Sequence, residues 1–93
     1  MREIDLLKQL VQPKGVGRHA FFFVSGEGSK MPNGVEEESG YVLDEQGRVF
    51  SFWLGWDAEH SKPALETWQQ VQAEPHWLEE PEYCRAQKLV GLA

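Results

Sequence analysis

Ninety-three residues, 41% hydrophobic and 12% aromatic, carry a formal net charge of −6. This composition predicts one globular domain over 1–93 and excludes a disordered chain, two independent cores or a disulfide scaffold, since Cys84 is the sole cysteine. No nucleic-acid grip is expected from an acidic balance, and no membrane span, which needs roughly 18–20 consecutive apolar residues.

The charge is unevenly placed. Residues 1–35 hold five basic and three acidic groups, whereas residues 36–93 hold four basic and twelve acidic. The N-terminus, Met1-Arg2-Glu3-Ile4-Asp5, has acidic residues where a signal peptide would have a positive and then an apolar run. With the single cysteine, this predicts a cytoplasmic protein.

Residues 2–12 read as an amphipathic helix. Ile4, Leu7 and Val11 recur at spacings of three and four, Leu6 and Leu10 widen the stripe, and Pro13 and Gly15 end it. His19-Ala20-Phe21-Phe22-Phe23-Val24-Ser25 is an apolar run too short for a helix and rich in strand formers. It predicts a strand over 19–25. Residues 26–38 read as a long mobile loop, because Gly26, Gly28, Pro32, Asn33 and Gly34 punctuate it and Glu36, Glu37 and Glu38 follow.

Residues 40–56 carry the clearest local signal. Asp44-Glu45-Gln46-Gly47 has the chemistry of a type I turn closed by a left-handed glycine, which predicts a hairpin with strands at 40–44 and 48–56. The turn sets Leu43 opposite Val49, Val42 opposite Phe50 and Tyr41 opposite Ser51. Alternation then sorts Val42, Phe50, Phe52, Leu54 and Trp56 onto one face. Tyr41, Leu43, Val49, Ser51 and Trp53 fall on the other.

Residues 57–63 read as a polar connector. Leu65, Trp68 and Val71 stand three apart, which favours a helix over 64–72, with a meander strand at 65–72 as the alternative. Residues 81–90 predict a C-terminal helix, with Pro81 and Glu82 in its first turn, Lys88 near its end, and Tyr83, Ala86, Leu89 and Val90 inward. The fold class expected is α+β: a short antiparallel sheet packed by an N-terminal and a C-terminal helix.

Candidate sites are weak. The glycine-rich stretch at 25–34 follows a strand as phosphate loops do. It lacks their spacing, and Glu27 would repel an anion. Asp57, Glu59 and His60, with His76 and Cys84 further on, are metal-ligating types without paired zinc spacing. Cys84 could serve as a nucleophile with His19, His60 or His76 as base, but Glu79, Glu80 and Glu82 around it would raise a thiol pKa. No cofactor is expected.

The remaining candidates are surfaces. Glu36, Glu37 and Glu38 could meet a basic protein partner. Tyr41 and Trp53, on the less apolar face of the hairpin, could form an exposed patch for self-association as a homodimer or for a partner. The expected function is a non-enzymatic protein-interaction or regulatory module with an acidic surface. The alternative is a small-ligand-binding domain whose pocket is lined by Trp53, Trp56, Trp68 or Trp77.

Overall fold

The computed structural model describes residues 3–92. A helix α1 (Glu3–Val11) leads through a short 3-10 turn (Gln12–Lys14) into four strands, β1 (His19–Lys30), β2 (Glu36–Asp44), β3 (Val49–Asp57) and β4 (Lys62–Val71). A second 3-10 turn (Pro75–Glu79) precedes helix α2 (Pro81–Leu89). The strands form an antiparallel meander in the order β1-β2-β3-β4, and the fold is α+β as expected. Arg2 and the side chain of Ile4, which the predicted first helix includes, lie outside the described residues.

The two helices cover opposite faces of the sheet. Leu6, Leu7 and Val11 of α1 bury against Val42, Phe50, Phe52 and Leu54. Tyr83 and Ala86 of α2, with Val90 just beyond it, bury against Ala20, Phe22, Leu43 and Val49. The alternation that separates Val42 from Leu43 in sequence therefore separates two cores in space. Each helix brings only one apolar stripe, so a sheet apolar on both faces needs one helix on each.

The β2–β3 hairpin has the predicted register, with Leu43 opposite Val49, Val42 opposite Phe50 and Tyr41 opposite Ser51. Its turn is locked by Asp44. That side chain is fully buried and accepts the backbone N–H groups of Gln46 and Arg48 at 3.0 and 2.8 Å, and the Arg48 Nε at 2.7 Å. Gly47 takes the left-handed conformation this turn requires, at φ 82°.

Leu89, expected inward on the C-terminal helix, is instead 61% exposed, because Tyr83, Ala86 and Val90 are the residues that face the sheet. Two larger expectations need correction. Residues 26–38 do not form one long loop: residues 26–30 belong to β1 and 36–38 to β2. Only Met31-Pro32-Asn33-Gly34-Val35 turns. It does so with the same bonds as the Asp44 turn, Met31 N–H to Val35 carbonyl and Gly34 N–H to Met31 carbonyl, both at 2.8 Å. Met31 and Val35 at this tip are buried among the α1-side core residues. Irregularities in β1 between Phe22 and Ser25, and between Gly26 and Lys30, give the arm the bend that brings its tip there.

The second correction concerns residues 64–72, where the alternative holds: residues 64–71 lie in strand β4 and not in a helix. Trp53 pairs with Thr67 and Leu54 with Leu65, so Glu66 is an extra residue bulged out of β4. In a regular strand Leu65 and Trp68 would point to opposite faces. The bulge returns both to the α1 side, where Trp68 stacks on Phe50 with ring centres 4.8 Å apart. A spacing of three, the ordinary mark of a helix, arises here from a strand with one residue inserted.

Candidate functional site

The chemistry-bearing clusters were weak candidates in the sequence, and local folding accounts for their contacts. Asp57, Glu59 and His60 do come together, with a donor atom of each within 4.8 Å of the others. They form the β3–β4 turn. The Asp57 carboxylate accepts the backbone N–H groups of Glu59 and His60 and contacts the His60 Nδ1 at 2.7 Å. The ring bond leads the causes that lower the Asp57 pKa from its ordinary value of 3.8. The Cys84 thiol donates to the Leu78 carbonyl at 3.3 Å. The glycine-rich stretch is strand, and its Glu27 carboxylate accepts the Ser39 hydroxyl at 2.5 Å.

The candidate interaction residues divide. Glu36, Glu37 and Glu38 are half-buried at the start of β2, where alternation puts Glu37 on the face opposite to Glu36 and Glu38. The run is therefore not one acidic surface. Tyr41 packs into the α2-side core. Its ring stacks on Phe22 at 5.4 Å between centres, and Trp77 of the second 3-10 turn lies 4.9 Å from it. Trp53 is half-buried on the same face, opposite Ser39 and Thr67.

The feature best built for binding is the free edge of β1. The Asp44 N–H donates to the Arg48 carbonyl at 3.0 Å, whereas the Glu45 N–H donates the other way, to the Arg18 carbonyl at 2.9 Å. Alternate residues of an antiparallel strand turn their backbone groups to opposite neighbours. By the register, Ala20 and Phe22 face their β2 partners Leu43 and Tyr41. His19 and Phe21 consequently turn their N–H and C=O groups away from β2, towards the free edge.

That stretch lies in a groove of about 420 Å³ lined by Lys8 of α1, by His19, Ala20 and Phe21, and by Arg85 and Leu89 of α2. Lys8 and Arg85 supply its charge, and both are exposed. The His19 Nδ1 lies 2.9 Å from the Gly17 carbonyl, which can only accept, so in the neutral ring Nδ1 carries the proton. Its Nε2 is buried without a hydrogen-bond partner. The ring stands edge-on to Phe21, 5.5 Å between centres.

The open stretch ends at a bulge. Phe22 pairs with Tyr41 and Ser25 with Ser39, leaving Phe23 and Val24 opposite Gly40. Phe23 is held at φ 52°, and its N–H is taken by the Glu82 carboxylate of α2 at 2.7 Å. A side chain at position 40 would bring its Cβ to 3.0 Å from the Val24 Cα, a contact so tight that the bulge would have to shift to admit it.

The other sheet edge, β4, differs. It carries Lys62, Pro63 and the Glu66 bulge, devices that discourage an added strand. A second groove of about 320 Å³ lies where Leu10, Pro13 and Lys14 approach Lys62–Leu65. Among the described residues, no tryptophan lines either groove. No helix of the described residues is long and apolar enough to cross a membrane.

Sequence reasoning passed over Lys8, His19, Phe21, Arg85 and Leu89 as a set. They converge only once β1 is known to be an edge and the helices to lie on opposite faces. Comparison of the chain with family models, with curated proteins and with solved structures gives no match.

Proposed function

We propose that this chain is a non-enzymatic protein-interaction module that receives an extended segment of a partner along the free edge of β1. One observation carries this reading: His19 and Phe21 turn their backbone bonding groups outward within a groove walled by both helices. An added strand gains affinity from main-chain hydrogen bonds and specificity from flanking side chains. Phe21 and Leu89 offer apolar contact, and the Glu82 bond to Phe23 ends the open stretch.

A linear-peptide library selected on the immobilised chain tests the reading. Selected peptides, titrated into 15N-labelled protein, are expected to shift the His19 and Phe21 amide signals most. Failure to select any peptide, or shifts centred on Trp53 or on the Asp57–His60 turn, would contradict it.

A further inference from the structure

Lys8 and Arg85 say more about the partner than the backbone does. We infer that the β1 edge selects an extended acidic segment with two adjacent carboxylate side chains, one for each wall of the groove. The inference rests on the strand-addition reading above.

Lys8 stands on the α1 side of the sheet and Arg85 on the α2 side. A strand added to β1 continues the pleat, so its successive side chains point alternately to those two sides. Carboxylates two residues apart would both reach the same wall. Adjacent carboxylates reach one wall each, the first within range of the Lys8 ammonium and the next within range of the Arg85 guanidinium, or the reverse. The residues flanking the pair would be apolar or β-branched, to pack beside Phe21 on one side and Leu89 on the other.

Charge complementarity favours this occupant over two others. The protein as a whole carries −6, which predicts a basic partner, yet the charged side chains lining the groove, Lys8 and Arg85, are cations, and the Glu82 carboxylate at its end is engaged by the Phe23 N–H. A second copy offering its own β1 edge would bring Lys8 and Arg85 against their like. Like charges across a contact suppress that pairing.

Four synthetic octapeptides and fluorescence anisotropy test the idea. The first places Asp-Glu at the centre of an alternating Val/Thr sequence. The second replaces that pair by Asn-Gln, and the third sets the two carboxylates two residues apart. The fourth has Lys-Lys at the centre. The adjacent-acid peptide is expected to bind at least about fivefold more tightly than the second and third, as one well-placed ion pair can supply. Lys8→Glu and Arg85→Glu, both at exposed positions, are each expected to weaken it by about fivefold or more. The double variant is expected to prefer the Lys-Lys peptide.

Equal binding of the Asp-Glu and Asn-Gln peptides at the His19 and Phe21 amides would overturn the acidic inference and leave strand addition standing. Binding of none of the four would count against both. If inorganic phosphate shifts the same amides as strongly as the acidic peptide, the groove is an anion site and the inference fails.

Discussion

The Glu82 carboxylate on α2 accepts the backbone N–H of Phe23 on β1 at 2.7 Å. This bond joins two elements fifty-nine residues apart and satisfies an N–H group that the alternation of β1 turns away from β2, towards the free edge. It also fixes where the sheet edge closes. His19 and Phe21 remain open on one side of it, while from Val24 to Lys30 the strand is exposed.

Glu82→Ala is therefore expected to destabilise the fold by about 1–2 kcal/mol, the lower part of the range of about 1.5–3 for a hydrogen bond to a charged group and less where water competes, as it does at this exposed bond. Urea unfolding measures this. Amide exchange at Phe23 should accelerate in the variant while that of Phe22 changes little. Glu82→Gln, which keeps a carbonyl acceptor, should recover part of the loss.

Asp44→Ala removes the acceptor of three bonds at a fully buried position. About 2–3 kcal/mol of stability should go with it, because the stranded N–H groups of the turn lose their partner. The signal at Val49, directly after the turn, should broaden or move first. A loss below 0.5 kcal/mol would mean that the turn holds its register without the side chain.

Gly40→Ala drives a Cβ against the Val24 backbone, which cannot swing aside as a long side chain could. A destabilisation of about 1–3 kcal/mol is expected, in the range for overpacking. Unlike Glu82→Ala, this change should also weaken peptide binding, because it displaces the bulge that sets the direction of β1.

The β3–β4 turn gives a pH signature. The His60 ring bond is the leading cause that lowers the Asp57 carboxyl, aided by the backbone N–H groups of His60 and Glu59 and opposed by partial burial. A carboxyl depressed in the folded state adds stability above its unfolded pKa and loses it as pH falls through the folded value. The stability advantage of the native chain over Asp57→Asn should be present at about pH 5 and vanish towards about pH 2. An advantage that persists unchanged in acid would contradict the assignment.

Much of the fold was legible where one residue type forces one conformation. Asp44 and Gly47 set the turn, and the turn set every pairing from Tyr41 to Ser51. The same chemistry stands at Met31 through Gly34, with Gly34 at φ 85°. It was obscured because glycines and glutamates on either side resemble a loop, although their strand bends back to bury Met31 and Val35. Residues 64–72 misled for a different reason. A bulge at Glu66 converts a period of two into a spacing of three between Leu65 and Trp68. No local pattern announces such an insertion.

The candidate site was scarcely legible. Tyr41 has a strong aromatic signal, but Trp77, from thirty-six positions along, covers it. Lys8 and Arg85 are ordinary exposed helix residues in sequence. They gain meaning only from the order of strands, which places β1 at the edge between them.

The central claim is that His19 and Phe21 hold their backbone groups open for a partner strand. Amide hydrogen exchange along β1, free and with the adjacent-acid peptide bound, tests it most directly. Ala20 and Phe22 should be protected in both states, whereas His19 and Phe21 should exchange rapidly in the free protein and become protected in the complex. If His19 and Phe21 are already as protected as Ala20 and Phe22 without peptide, or gain no protection on binding, the edge is not the site.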